Sequence, residues 1–379
     1  MPAPRFPAAR AAYIHVPFCA HRCGYCDFTL VAGRDDLIDH YLAALEIELS
    51  SLKVPRKVET LFFGGGTPTH ISAAQLERLL ELTARWFELS AEYELSVEAN
   101  PAGLDDSKVR ALADAGVNRV SLGVQSFDAR VLRLLERDHR AAGIIQAVER
   151  LKPVIANISL DLIFAVPGQT LAVWRETLKR AIELEPTHIS TYGLTYEKGT
   201  RFWSRRSKGC LMPLDPDVDY EMYSAAIDDL SAAGFEQYEI SNFAKPGFRC
   251  RHNEVYWKAL PCYGFGPGAV QYLDGRREMN HRSVHTWLKR VQSGESAIGE
   301  TEQLSDEDRA REAIVVGLRR CEGISKDEFE TLTGFDIDLL AGGTIERHCH
   351  SGLLEDTGTH VRLTRTGRFL ADTVFVDFL

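Results

Sequence analysis

The chain has 379 residues, 45% of them hydrophobic and 26% charged, which suits an ordinary globular protein of two domains or of one barrel with an appendage. Its formal charge of −10 argues against a general nucleic-acid binder, and no apolar run approaches the roughly 20 residues that span a bilayer. Eight cysteines are too few for a disulfide scaffold in a chain this long. Three of them crowd into positions 19–26, whereas Cys210, Cys250, Cys262, Cys321 and Cys349 are scattered and read as small core hydrophobes. Residues 1–11 carry some positive charge but no apolar core before Tyr13; they read as a disordered leader, not a secretion signal, and a cytoplasmic address follows.

From residue 12 to about 213, short β-rich runs alternate with helical patterns. The runs begin at Ala12, Val58, Glu92, Arg119, Ile158 and His188. Between them, apolar residues recur at helical spacing, as at Leu37, Tyr41, Leu45 and Leu49 or Leu76, Leu79, Leu80 and Thr83. Six strand–helix repeats predict parallel strands with right-handed crossovers. The polar and glycine signals fall just after the strands, the end that carries chemistry in a barrel. The fold class expected is α/β, a partial (β/α)6 barrel. Residues 214–300 read as a connecting region: a helix over 217–234, then a stretch rich in glycine and aromatics. Residues 301–379 read as a small α+β domain of winged-helix type, with a hairpin between Leu353 and Leu363. Residues 302–379 hold 9 Lys and Arg against 16 Asp and Glu, so phosphate affinity is not expected and the module reads as structural or partner-contacting.

Directly after the first strand stands Cys19-Ala-His-Arg-Cys23-Gly-Tyr-Cys26. This spacing places three soft thiolates on one short arc, which suits an iron–sulfur cluster with one iron left open. A zinc site completed by His15 or His21, or a redox thiol group, is the alternative. One strand later comes Phe62-Phe-Gly-Gly-Gly-Thr-Pro68, where glycines at a strand end let backbone approach a ligand closely.

With these motifs the chain resembles the radical SAM superfamily, in its coproporphyrinogen oxidase-like branch. The resemblance runs from Tyr13 to Leu379 and also takes in Val-Glu-Ala-Asn-Pro101, Ser-Leu-Gly-Val-Gln-Ser-Phe127 and Asp-Leu-Ile-Phe-Ala-Val-Pro-Gly168. It implies that Cys19, Cys23 and Cys26 hold a [4Fe–4S] cluster. S-adenosylmethionine (SAM) would chelate the open iron and be cleaved reductively, with an electron donor as partner. It further implies that Tyr13 supports the methionyl part of SAM, that Gly65, Gly66 and Thr67 receive its amino and carboxylate groups, and that Glu98 binds the ribose. Gln125 and Asp161, at the ends of the next two strands, and Arg137, on the helix between, complete the site, with Tyr25 against the adenine.

Within that branch the oxidases carry a fourth cysteine two places after the third; here Phe28 fills the slot. Phenylalanine there, with His252-Asn-Glu-Val-Tyr256-Trp257, resembles the HemW family of haem chaperones. The resemblance implies haem binding by His252, Tyr256 and Trp257. An imidazole suits iron, two flat rings suit a macrocycle, and Arg249 and Arg251 could pair with propionates. Cys250 is a second candidate ligand. One departure is Val270, where such sequences often have histidine; His281 could substitute. His21 and His139 receive no role. The function expected is a haem chaperone that passes haem to an acceptor protein. Two alternatives stand beside it. One is an oxygen-independent coproporphyrinogen III oxidase, against which Phe28 speaks. The other is a non-enzymatic scaffold whose cluster regulates its shape or a peripheral membrane contact.

Overall fold

The computed structural model describes residues 7–379; residues 1–6 of the expected leader lie outside the described residues, and Ala11 already belongs to the first strand. Six strands occur where the β-rich runs predict them. They are β1 (Ala11–Val16), β2 (Arg56–Gly65), β3 (Phe87–Ala99), β4 (Arg119–Gln125), β5 (Asn157–Phe164) and β6 (His188–Gly193). All pair parallel and in chain order, so each crossover helix returns the chain to the same end of the sheet.

The side chains of these strands alternate in a way that explains both faces. Ile14, Phe63, Val97, Leu122 and Leu160 are buried in the main apolar core together with Tyr41, Leu45 and Leu49 of the helix Ile38–Ser50. Leu76, Leu79, Leu80 and Thr83 are buried on the helix Ala73–Ala84, as their spacing predicts. One residue over, the strands carry Glu94, Ser96 and Glu98, then Arg119 and Ser121, then Ser159 and Asp161, then His188 and Ser190. A period of two puts these polar groups on the opposite face of the sheet from the helices.

The barrel is partial: among the described residues the sheet runs through twelve strands in linear order, without its two ends pairing. The stretch 214–300 joins this sheet. Cys262–Phe265 pairs parallel with β1, and Val270–Leu273, Arg276–Asn280 and Ile298–Gln303 extend it as an antiparallel meander. The helix Pro216–Ala232, close to the predicted span, buries Met222, Tyr223 and Leu230 in the main core.

Beyond Gln303 a separate core gathers Ile314, Leu318, Phe329, Ile345, Val361 and Phe378. Helices Asp306–Gly317, Lys326–Thr333 and Ile337–His350 surround a three-stranded sheet of Ile324–Ser325, Leu354–Asp356 and His360–Leu363. This is the winged-helix-type arrangement. Among the described residues no helix is long and apolar enough to cross a membrane.

Candidate cofactor site and family

The carboxyl ends of β1–β6 open into a cavity of about 400 Å³. Cys19, Cys23, Cys26, Tyr25, Gly65, Gly66, Thr67, Glu98, Gln125, Arg137 and Asp161 all line it. Residues spread over more than 140 positions thus meet at one place because parallel strands deliver their ends to the same side.

The cysteine loop is held from several directions. Phe18–Cys19 pairs with Val31–Ala32 to close its base. The Thr67 N–H donates to the Phe18 carbonyl (2.8 Å) and the Gly66 N–H to Val16 (2.9 Å), so the glycine turn is bound to the loop. Fully buried Phe202, on the helix Arg201–Ser207, packs where a side chain at Gly24 would stand, and its N–H donates to the Gly24 carbonyl. Arg201 bridges the Arg22 carbonyl and the Glu136 carboxylate, each at 2.5 Å.

The three glycines of the turn are required by packing. A Cβ on Gly64 would lie 2.9 Å from a Glu98 carboxylate oxygen, one on Gly65 2.5 Å from the His15 ring, and one on Gly66 2.8 Å from the Phe18 carbonyl. Gly65 also has φ +111°, where a side chain is strained. Its N–H donates to Glu98 (3.0 Å), which fixes that carboxylate at the cavity wall.

All three clustered cysteines are free thiols. Burial pushes the Cys19 thiol up to about 11 and raises that of Cys26; soft cations displace thiol protons, so metal ligation would offset this cost. The three cysteines line the cavity and, among the described residues, bring three soft donors without a fourth, where structural zinc takes four. That donor set fits a multinuclear cluster better than a single zinc ion. The thiol of Cys19 lies 3.4 Å from the Thr67 hydroxyl, and Arg137 donates to Cys23 Sγ (3.6 Å) and to the Gly123 carbonyl (2.9 Å).

Two carboxylates face the cavity from strands β3 and β5, on either side of β4. Burial, and then the charge of Asp161, push Glu98 up to about 7; burial raises Asp161 as well. Asp161 accepts from Ser121 (2.9 Å) and Ser159 (3.2 Å), and both it and Glu98 feel the buried Arg119 cation. Gln125 ends β4 with φ +63°, a conformation costing about 1–3 kcal/mol in a residue other than glycine, of the kind that functional sites retain.

Three expected placements are corrected. Arg137 is not on a helix: the helix Ala129–Leu134 ends first, Glu136 takes φ +57°, and the Arg137 N–H closes back on the Leu132 carbonyl. Asp161 lies mid-strand, three residues before the end of β5. Tyr13 does not line the cavity; its ring stacks on Phe62 at 6.1 Å, and its hydroxyl lies 3.1 Å from His15 Nδ1.

The His252 motif sits elsewhere. It forms the helix Arg251–Trp257, whose first N–H groups dock on buried Glu94 (Arg251 N at 2.9 Å and His252 N at 3.1 Å). Glu94 pairs across the sheet with Thr60, five residues before the glycine turn, so this helix fills the opposite end of the strands. His252 is 1% exposed, with Nδ1 2.9 Å from the Thr60 hydroxyl and Nε2 2.9 Å from the Tyr256 hydroxyl. Burial pulls its pKa down to about 3, so it is neutral. Trp257 lies beneath the Arg319 guanidinium (4.5 Å) and clamps the C-terminal domain. Arg249 pairs with Glu322 and Arg251 with Glu59, so neither cation stands free. Cys250 is fully buried against Glu94.

Glu94, Arg119, Ser121 and Tyr192 were not singled out in the sequence. Their signal was available: polar residues recurring at period two in strands whose other face is almost wholly apolar.

A partial parallel barrel with a three-cysteine loop and a glycine turn over one cavity defines a radical SAM protein. Residues 13–181 match the radical SAM superfamily model, and residues 304–370 match the HemN C-terminal domain. The chain is similar to the heme chaperone HemW of Lactococcus lactis (38% identity, 97% of each chain covered) and to that of Bacillus subtilis (36%, 98% and 99%). By structure it is similar to the Escherichia coli coproporphyrinogen III oxidase HemN, with a TM-score of 0.85 at 23% identity over 97% of this chain and 89% of that one. The chain belongs to the HemW family of the radical SAM superfamily.

Proposed function

We propose that this protein is a haem chaperone that carries a [4Fe–4S] cluster and SAM in the cavity at the carboxyl ends of the strands, binds haem, and passes it to an acceptor protein. The observation that carries the proposal is the convergence of the three cysteines, the glycine turn, Glu98, Gln125, Arg137 and Asp161 on one cavity, in a chain 36–38% identical to curated haem chaperones. Cys19, Cys23 and Cys26 would hold the cluster, which when bound supplies an electron to SAM. The Gly65–Thr67 turn offers backbone polar groups to the amino acid part of SAM, and Glu98 and Asp161 offer acceptor oxygens to its hydroxyls. Arg137 holds the cysteine loop to β4 and keeps a cation beside Cys23.

Decarboxylation of coproporphyrinogen III is not part of this reading, because Phe28 stands where the oxidases carry a fourth cysteine. Coproporphyrinogen turnover and haem transfer, measured on one anaerobically reconstituted sample, test the proposal. The expected result is haem transfer to an apo-acceptor without decarboxylation; steady decarboxylation at several turnovers per minute would return the protein to the oxidase class.

A further inference from the structure

A second cavity, of about 570 Å³, lies between β1, the 262–280 segment and the helix Asp306–Gly317. Its size falls inside the roughly 300–1,000 Å³ range of small-molecule sites. Tyr13, Phe28, Tyr256, Tyr272 and Met279 give it broad apolar walls. Arg277, Arg282 and Arg309 bring positive charge to it. Arg277 is neutralised by Glu302 and Glu312, and Arg309 by Asp306. Arg282 differs: it donates to the Asp27 carbonyl (3.1 Å) and the Thr29 hydroxyl (3.4 Å), and among the described residues it forms no ion pair with a carboxylate. Asp27 and Phe28 line both cavities, so the second adjoins the cysteine loop.

We infer that this second cavity is the haem site, that Arg282 receives a propionate, and that His252 acts only as a positioning residue for Tyr256. The inference rests on the chaperone reading above. A flat, largely apolar macrocycle with carboxylates on one edge matches aromatic walls beside an unneutralised guanidinium. His252 is a poor iron ligand as placed, since both its nitrogens are engaged by Thr60 and Tyr256. Through the second of these bonds it fixes the Tyr256 hydroxyl, and Tyr256 lines the cavity. The motif therefore contributes to haem binding through tyrosine.

Haem titration of the full-length, cluster-loaded chain, followed at the Soret band, tests this. Val270 lines the cavity and is 41% exposed, so Val270→Trp fills space with little risk to folding. That variant is expected to weaken haem binding at least tenfold, with cluster absorbance unchanged. Val270→His places an imidazole in the wall and is expected to shift the Soret band. Arg282→Gln is expected to weaken binding three- to tenfold for protoporphyrin IX but not for its dimethyl ester, read by tryptophan quenching. Wild-type affinity in both Val270→Trp and Arg282→Gln, with binding lost in His252→Ala, would overturn the cavity assignment and leave the chaperone reading standing. A wild-type chain that takes up no haem would defeat both.

Discussion

The two ends of the strands β1–β6 are built from the same kinds of residue and do opposite things with them. At the carboxyl end, Glu98, Asp161, Arg137 and three thiols line open space. At the amino end, Glu94, Arg119, Cys250, His252 and Tyr238 are packed against one another behind the helix Arg251–Trp257. Polar groups that border open space mark a place for a ligand; the same groups packed against one another behind a helix mark a structural plug. A conspicuous histidine such as His252 therefore does not of itself mark a ligand to iron.

The largest expected effect is at the open end. Cys19→Ser, Cys23→Ser and Cys26→Ser are each expected to lose the cluster, because serine keeps the shape but removes the soft thiolate. Iron and sulfide counts near four per chain in any of them would break the comparison from that side.

At the sealed end, Glu94→Leu removes two acceptors from a helix N-terminus and takes away one of the buried groups whose charge the Arg119 cation feels. A loss of about 3–5 kcal/mol is expected, read by chemical denaturation. Glu94→Gln, which keeps one acceptor oxygen, should cost less.

A smaller effect concerns pH. Glu98, raised to about 7, is protonated in the folded chain over a window where an unfolded one has ionised, so its contribution to stability is lost as pH rises from about 4.5 to 7. A carboxylate is the better partner for two hydroxyls. SAM affinity is therefore expected to rise about tenfold between pH 6 and pH 8, as the ionised fraction grows. Glu98→Gln should bind SAM more weakly and without that slope, measured by calorimetry. The smallest effect is reserved for Cys210, Cys321 and Cys349, whose replacement by serine is expected to leave iron content unchanged.

Much of this was legible in the sequence where local periodicity decides the outcome. Strand alternation gave β1–β6 to within a few residues, since one face must pack against helices. The cysteine and glycine motifs gave the open end, because ligand-bearing turns follow strands. Pairings over long sequence distance were not legible: nothing local in Cys262–Phe265 says that it will lie beside β1, 250 residues earlier. The same holds for Glu94 capping a helix that begins at Arg251. Tyr13 misled for a related reason: on β1 it follows the interior alternation, but it faces Phe62 and the second cavity.

The direct test of a division between an open and a sealed end is a paired measurement of iron content and denaturation midpoint in Cys26→Ser and His252→Ala. The account predicts that Cys26→Ser loses its iron with little change in the midpoint. His252→Ala should keep its iron but lose about 2–3 kcal/mol, because Thr60 and Tyr256 are left without their shared partner. A His252→Ala protein as stable as wild type, or a Cys26→Ser protein that retains a full cluster, would contradict it.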